Sequence, residues 1–263
     1  MEDVLTRIIA AKRIEVERDK QRISPAELRD AVAKLPVRER RSMRSALASS
    51  ASGIIAEFKR RSPSKGWINE GAEATVIPPA YAAAGAAALS ILTDTEFFGG
   101  SLEDLIAARP LVDIPIIRKE FIVDDYQLYQ AKLVGADAVL LIAAALSTEE
   151  CVALTRKAHE LELEVLLELH SQEELEYITD EVDMVGINNR NLGTFHTDVA
   201  NSYRLAELLP QDMVKVSESG ISDPQCVVEL RKAGFQGFLI GENFMRTEQP
   251  GESLRKFISV VEQ

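Results

Sequence analysis

Residues 53–66 read GIIAEFKRRSPSKG, an apolar run that ends in charged residues and then in a turn rich in Ser, Pro and Gly. Glu57 and Lys59 are two positions apart, so a strand directs both side chains to the same face. Charged groups are costly to bury, and at the C-terminal end of a strand in a parallel barrel they mark the active site. The stretch therefore predicts a barrel strand that carries functional groups. An edge strand with a solvated rim is the alternative.

Seven further apolar runs follow, separated by stretches with helical spacing. Continuous apolar strands such as AVLLIA suit a parallel sheet that is covered on both faces. The pattern predicts an α/β fold, a (β/α)8 TIM barrel over 51–263, with a doubly wound open sheet as the alternative. We predict strands at 53–58, 87–92, 114–119, 137–143, 163–168, 183–188, 213–217 and 236–240. We predict helices near 71–84, 101–109, 124–134, 147–160, 171–180, 197–208, 222–233 and 251–262.

An internal repeat supports the barrel. Residues 82–92, 132–142 and 231–241 share one pattern, in which a helix end and a capping glycine precede an apolar strand. Gly85 and Gly135 are 50 positions apart, and Gly135 and Gly234 are 99 apart, close to twice that distance. This spacing is typical of a barrel built from modules of two strand–helix units.

The first 50 residues lie outside this rhythm and form a predicted helical extension, 1–50, that packs on the barrel over one mouth. Residues 4–16 have helical spacing, and Ser24 followed by Pro25 reads as an N-cap and a first helical position. Because no linker rich in Ser and Gly separates the extension from residues 51–263, we expect a single domain overall.

The net charge and the cysteine content indicate which binding partners and which cellular compartment to expect. The net charge of −12 argues against a general binder of nucleic acid or anionic membranes. Basic clusters at 59–65 and 38–44 are interpreted as sites for a small anion, although a solvated charged face is an equal alternative for the second. Cys151 and Cys226 have no ligand spacing around them and are expected to be free thiols. Without a signal-like or membrane-spanning apolar run, the protein is expected to be cytoplasmic.

Ionisable or amide residues follow six of the eight predicted strands, at the barrel end where active sites form. They lie at 57–59, 118–121, 168–170, 188–191, 217–220 and 241–243. The small-residue turns after strands 7 and 8 suggest a phosphate site, with backbone amides of Ser219, Gly220, Gly241 and Glu242. No metal or nucleotide motif occurs, so we expect no metal and no cofactor. His159, His170 and His196 are interpreted as surface or capping residues.

The chain resembles the indole-3-glycerol phosphate synthase family along essentially its whole length, in the monofunctional form. The motifs that carry the resemblance occur in order along the barrel: IIAEFKRRSPSKG, LTDTEFFGGS, PIIRKEFIVD, LLELH, GINNRNL, VSESGI and FLIGENFM. The resemblance implies ring closure, decarboxylation and dehydration of 1-(2-carboxyphenylamino)-1-deoxyribulose 5-phosphate, without a cofactor. The implied partner is this small sugar phosphate alone, bound by a monomer or a weak dimer.

The resemblance also implies roles for individual residues. Lys119 would be the general acid at the ketone oxygen, although an ion pair to Glu120 or Glu168 is the alternative. Glu168 would handle protons, Lys59 would hold an anionic group of the substrate and assist dehydration, and Glu57 would orient the lysines. The remaining implied contacts are Asn188, Ser219 and Glu218 around the anilino carboxylate and hydroxyls; Ser62, Arg190, Gly220, Gly241 and Glu242 at the phosphate; and Phe98 and Phe121 against the anthranilate ring.

Two other functions fit a phosphate-binding barrel. Phosphoribosylanthranilate isomerase of the same pathway uses an acid–base pair, commonly a cysteine and an aspartate, but neither Cys151 nor Cys226 falls at a predicted strand end. A non-catalytic phosphate-binding barrel would not need Lys119 and Glu168 to face one cavity.

Overall fold

The computed structural model describes residues 4–191 and 196–263, and eight parallel strands in these ranges close into a barrel. The strands pair in chain order, and the first closes the ring against the last, with Ile55 opposite Leu239. The predicted (β/α)8 TIM barrel is therefore confirmed, and the open sheet is wrong. The strands are β1 Ile54–Phe58, β2 Ala88–Leu92, β3 Ile116–Lys119, β4 Ala138–Ile142, β5 Glu164–Leu169, β6 Met184–Asn188, β7 Val214–Glu218 and β8 Gly237–Ile240.

Helices precede the barrel and then alternate with its strands. Those of the N-terminal extension are α1 Val4–Arg22, α2 Pro25–Ala33 and α3 Met43–Ser49. Those of the barrel are α4 Ile77–Ala83, α5 Leu102–Ala108, α6 Asp125–Val134, α7 Thr148–Glu160, α8 Ala200–Ala206, α9 Pro224–Lys232, α10 Glu242–Met245 and α11 Pro250–Val261. Short 3₁₀ helices span Arg109–Leu111, Ala143–Ala145 and Glu173–Tyr177, and Arg61–Ser62 pairs with Gly66–Trp67 in a small hairpin.

The alternation of side chains along each strand separates two layers of core. In β1, Ile54, Ala56 and Phe58 pack in the layer between the strands and the outer helices, whereas Ile55 packs in the layer within the barrel. Glu57 has the same parity as Ile55, so its side chain also points inward. The charged residue predicted at the strand end therefore enters the barrel mouth.

The opposite end of the barrel is closed by α3. Met43 and Leu47 of this helix are fully buried among the interior side chains. The buried carboxylate of Glu164, at the start of β5, accepts hydrogen bonds from Ser42 Oγ at 2.6 Å and from the Arg44 N–H at 2.9 Å. These bonds give each oxygen of Glu164 a partner at the N-terminus of α3, where a negative charge is favoured. The buried charge of Glu164 is therefore compensated.

The first two helices lie on the barrel beside α6. Ser24 and Glu27 form the reciprocal capping box that opens α2. The Tyr126 hydroxyl in α6 donates to the carbonyl of Ile23 at 2.9 Å, and Lys20 pairs with Asp124 at 2.7 Å. The extension is therefore fixed to the barrel wall by both polar and apolar contacts. Residues 1–3 of the predicted extension lie outside the described ranges.

Two helix predictions differ from the structure, which also contains a helix that was not predicted. The helix predicted over 171–180 is wrong: a 3₁₀ helix, Glu173–Tyr177, occupies this region, and the Glu174 side chain folds back to accept the N–H of His170. The helix predicted over 71–84 begins only at Ile77, where two prolines preset its first turn. Helix α3 is an addition, too short to give a clear periodic signal.

Within the described ranges, no helix combines the length and apolar character that crossing a membrane requires.

Candidate active site

All fourteen predicted site residues line one cavity of about 170 Å³ at the C-terminal end of the barrel. The parallel register brings them together: Ile142 lies opposite Glu168, and Asn188 lies opposite Glu218, so successive strand ends meet at one rim. Leu5 and Ile8 of α1 also line the cavity, which places the N-terminal helix over this mouth. Leu192, the last residue of the GINNRNL motif, is outside the described residues.

Lys119 lies at the centre of the charged groups. Its Nζ is 2.8 Å from Glu168 Oε2 and 3.1 Å from Glu218 Oε2, and all three side chains are nearly buried. Burial opposes the ammonium form, but the charges of Glu168 and Glu218 outweigh it and raise the pKa of Lys119. The lysine therefore keeps its proton at neutral pH, as a general acid must before it acts. The alternative partner Glu120 instead contacts Arg118, at 3.5 Å, and the α1 residue Lys12.

The two carboxyl groups beside Lys119 have opposite pKa shifts. Burial disfavours the charge of Glu168, but Lys119 and His170 outweigh it and hold the pKa of Glu168 well below its usual range. Burial and the neighbouring Glu168 charge raise the pKa of Glu218 to about 7, against the attraction of Lys119. An ionised carboxylate and a carboxyl group that titrates near neutrality therefore flank one ammonium. Such a pair can accept one proton and deliver another.

Two glycines make room for the buried carboxylates. A Cβ on Gly186 of β6 would lie 2.2 Å from Glu218 Oε1, and a Cβ on Gly241 would lie 2.4 Å from Glu57 Oε1. Any larger residue at either position would displace a charged group of the site. Glu57 in turn forms an ion pair with Lys59, so the first charged pair read from the sequence faces the cavity as one unit.

Asparagine side chains fix the turns after β6 and β7. Asn188 Nδ2 donates to Glu168 Oε1 at 3.1 Å. Its neighbour Asn189 is buried and donates to the carbonyl of Ser219 at 3.1 Å. Ser219 has a left-handed backbone with φ of 67°, which a residue with a side chain adopts at a cost, and the Asn189 bond helps to hold it there. Asn189 lies within the predicted strand-end residues 188–191, but no role was predicted for it, because its buried bond to the next turn forms only in the folded barrel.

The predicted phosphate end combines two basic residues with one acidic residue. Arg190 Nη1 donates to Ser64 Oγ at 2.8 Å, and its Nη2 lies 3.8 Å from Glu242 Oε2. Lys65 Nζ also lies 3.8 Å from the Glu242 carboxylate. The prediction that the backbone amide of Glu242 faces the phosphate stays a prediction. The Glu242 side chain lies between the two cations, 3.8 Å from each.

The aromatic wall is held by buried carboxylates. The rings of Phe98 and Phe121 have centroids 5.8 Å apart. Asp94 Oδ1 accepts the N–H of Phe98 at 3.2 Å, and Glu120 Oε1 accepts the N–H of Phe121 at 2.9 Å. Lys12 of α1, only 1% exposed, lies 2.9 Å from Asp94 and 3.0 Å from Glu120. A single lysine thus links the N-terminal helix to both segments that carry the wall.

The prediction that His170 is a surface or capping residue is wrong, whereas the same prediction fits His159. His159, on α7, is partly exposed and pairs with Asp183 at 2.8 Å, as a surface residue would. The His170 side chain is only 12% exposed, and its Nε2 lies 3.2 Å from Glu168 Oε1. The LLELH motif contained this residue, and its position two residues after Glu168 was the signal that it shares the strand end.

Among the described residues, no group of three or more His, Cys, Asp and Glu side chains has an arrangement suited to a metal ion.

Comparison with known proteins identifies relatives over the full chain. A sequence family described as indole-3-glycerol phosphate synthase matches residues 5–257. The indole-3-glycerol phosphate synthase of Bacteroides thetaiotaomicron is 66% identical over 262 residues, which cover 100% of both chains. The synthase of Burkholderia multivorans is 46% identical over 97% of this chain and 99% of its own. That of Burkholderia ambifaria is 43% identical over the same shares.

Proposed function

This chain belongs to the indole-3-glycerol phosphate synthase family, the carboxy-lyases of tryptophan biosynthesis, and from that premise we propose how its cavity performs the reaction. The family reaction closes the pyrrole ring of 1-(2-carboxyphenylamino)-1-deoxyribulose 5-phosphate and then releases carbon dioxide and water. The observation that carries the proposal is the position of Lys119, a buried ammonium held between Glu168 and Glu218.

Ring closure requires a proton donor at the ketone oxygen of the ribulose chain while an aryl carbon attacks the carbonyl carbon. Lys119 is the protonated group at the centre of the cavity and supplies this proton. The positive charge that develops on the anilino nitrogen is removed when the carboxylate leaves as carbon dioxide. No metal or cofactor enters this scheme.

Dehydration then requires loss of the former ketone oxygen as water and loss of a proton. Glu168 is ionised between Lys119 and its other partners and accepts the proton. Lys59, paired with Glu57 at the same cavity, assists departure of the hydroxyl group. Asn188, Ser219 and Glu218 contact the anilino carboxylate and hydroxyl groups, and Phe98 and Phe121 hold the aromatic ring by apolar contact.

The phosphate binds at the opposite side of the cavity. Arg190 and Ser62 contact its oxygens, and the turns at Gly220, Gly241 and Glu242 provide backbone amides. Since the Glu242 carboxylate lies near Arg190 and Lys65, the phosphate displaces it from these cations. This exchange of one anion for another keeps the basic groups paired in both states.

The activity is tested by fluorescence detection of indole-3-glycerol phosphate, with carbon dioxide release measured in parallel. Product formation that depends on this substrate supports the proposal, and its absence from the folded protein contradicts it. An isomerase of the same pathway is less well supported because Cys151 and Cys226 lie on α7 and α9, not among the residues that line the cavity.

Arg190→Ala should raise KM about 10–100-fold with little change in kcat, because the lost contact is a charged hydrogen bond to a group remote from the reacting carbons. Steady-state kinetics at saturating and limiting substrate separate the two constants. Arg255→Ala, which removes an exposed arginine from α11, is the matched control and should change neither constant. A variant with unchanged KM and lower kcat would contradict the phosphate role.

We further propose that residues 1–50 and 51–263 work as one domain, in a cytoplasmic monomer that acts on this small-molecule phosphate. The two free cysteines suit a reducing compartment, and residues of α1 and of the barrel line the same cavity. Light scattering coupled to size-exclusion chromatography tests the oligomeric state, and a stable dimer would overturn that part.

A further inference from the structure

His170 lies between the catalytic carboxylate and a second carboxylate. It follows β5 directly, and its side chain reaches Glu168 with Nε2 at 3.2 Å and Glu174 with Nδ1 at 3.6 Å. The backbone is fixed as well: its N–H donates to Glu174 Oε2 at 2.6 Å, and its carbonyl accepts from Asn201 Nδ2 at 3.1 Å. Backbone and ring are thus held at the strand end by neighbours on two different segments.

The ring contacts the oxygen of Glu168 that Lys119 leaves open. Lys119 lies against Oε2, whereas His170 and Asn188 both approach Oε1. Lys119 and Asn188 each donate a hydrogen bond to a different oxygen of Glu168, and His170 adds an ion-pair contact at Oε1. The contacts of His170 and Asn188 at Oε1 do not involve Lys119, so they do not depend on the position of the lysine.

The charges around the ring favour its protonated form. Burial opposes the charge, but Glu168 and Glu174 outweigh it and raise the pKa of His170 to about 9. His170 and Glu174 line a second cavity, next to the one that holds Lys119. Helix α1 contributes Leu5, Thr6 and Ile9 to this second cavity, and none of these is charged. The other titratable or charged residues that line this cavity are Arg190, His196, Asp198 and Arg204.

We propose that His170 is a positioning residue for Glu168: paired with Glu174, its imidazolium fixes one carboxylate oxygen and keeps that carboxylate ionised for proton transfer. The inference rests on the proposed role of Glu168. It extends the site by a residue pair, His170 and Glu174, that is not among the residues lining the proposed substrate cavity.

The charge of the His170 ring can be measured directly. The chain has three histidines, so few imidazole signals have to be distinguished. In ¹⁵N-labelled protein, nuclear magnetic resonance of the imidazole nitrogens should show His170 protonated at pH 7, with its signals assigned by their loss in His170→Gln. Glu174→Gln keeps an acceptor for the backbone N–H and removes one charge. It should lower the pKa of His170 by about 1–3 units. A neutral ring at pH 7, or a pKa unchanged by Glu174→Gln, would overturn the inference.

Kinetics separate position from charge. His170→Gln keeps a neutral donor near Glu168 and should move the acid limb of the kcat profile about 1–3 pH units higher, since one neighbouring cation is lost. His170→Ala removes the donor as well and should show a lower plateau that the glutamine variant restores. His159→Gln, at the exposed pair with Asp183, is the matched control and should leave the profile unchanged.

Different results would contradict the positioning role of His170 and the synthase activity. Profiles of His170→Gln and wild-type protein that coincide would overturn the positioning role while leaving the synthase assignment intact. Wild-type protein without synthase activity would instead contradict the proposed function. The nuclear magnetic resonance titration does not depend on turnover, so it still decides the charge of the ring if a kinetic variant folds poorly.

Discussion

Lys119→Ala should lower kcat by at least ~10²-fold, because general acid catalysis contributes that much. Lys119 is central to the site, with contacts to both Glu168 and Glu218. Lys59 is paired with Glu57 and belongs to a different strand end, so it cannot replace the lost proton donor at the ketone oxygen. The loss should therefore appear at saturating substrate.

Substrate binding should survive this substitution, because phosphate and ring contacts lie elsewhere in the cavity. Calorimetric titration of the variant with substrate measures binding without turnover. The same titration with Lys232→Ala, an exposed lysine of α9, controls for general effects of losing a positive charge. Near-normal kcat in Lys119→Ala would contradict the general acid assignment, and lost binding with normal kcat would indicate a binding role instead.

The barrel and the side chains at its mouth could be predicted from the sequence because they follow local rules. An apolar strand that ends in Glu57 and Lys59 reveals both its direction and the face of its polar residues. Strand ends in a parallel barrel share one rim, so residues far apart in sequence, such as Lys119 and Glu168, could be placed together. Family resemblance then supplied roles that spacing alone does not give.

Contacts made by tertiary packing could not be predicted in the same way. The sequence of α1 around Lys12 does not distinguish it from an exposed lysine. Lys12 meets Asp94 and Glu120 only because α1 packs against the barrel. His170 looked like a loop residue because its second partner, Glu174, depends on a 3₁₀ turn where the local pattern favoured an α-helix. In both cases the deciding interaction joins elements whose relative position is absent from the local sequence.

The buried cluster around Lys12 leads to a second large effect, on stability. Three carboxylates surround the ammonium: Asp94 at 2.9 Å, and Glu15 and Glu120 each at 3.0 Å. Burial opposes the charge of Lys12, but these carboxylates outweigh it and raise its pKa. Removing one partner of a buried ion pair leaves uncompensated charge, which typically costs about 3–5 kcal/mol.

Lys12→Met should therefore lower the free energy of unfolding by about 3–5 kcal/mol, measured by urea denaturation followed by circular dichroism. Methionine keeps most of the side-chain length, so the lost charge and not a large cavity is the main change. Lys232→Met, at an exposed pair on α9, should leave the unfolding midpoint unchanged. Adding Asp94→Asn to Lys12→Met removes a carboxylate that has lost its cation and should recover part of the loss.

The same variant tests whether α1 supports the aromatic wall. Because Asp94 and Glu120 accept the backbone N–H groups of Phe98 and Phe121, repulsion between these carboxylates should loosen both segments and raise KM. Unchanged stability would contradict the predicted cost. It would show that the carboxylates of Glu15, Asp94 and Glu120 move apart or bind a proton when Lys12 is absent. Reduced stability with unchanged KM would instead show that Lys12 only fixes α1 to the barrel. If the positions of Phe98 and Phe121 depend on Lys12, its loss has to weaken substrate binding and raise KM.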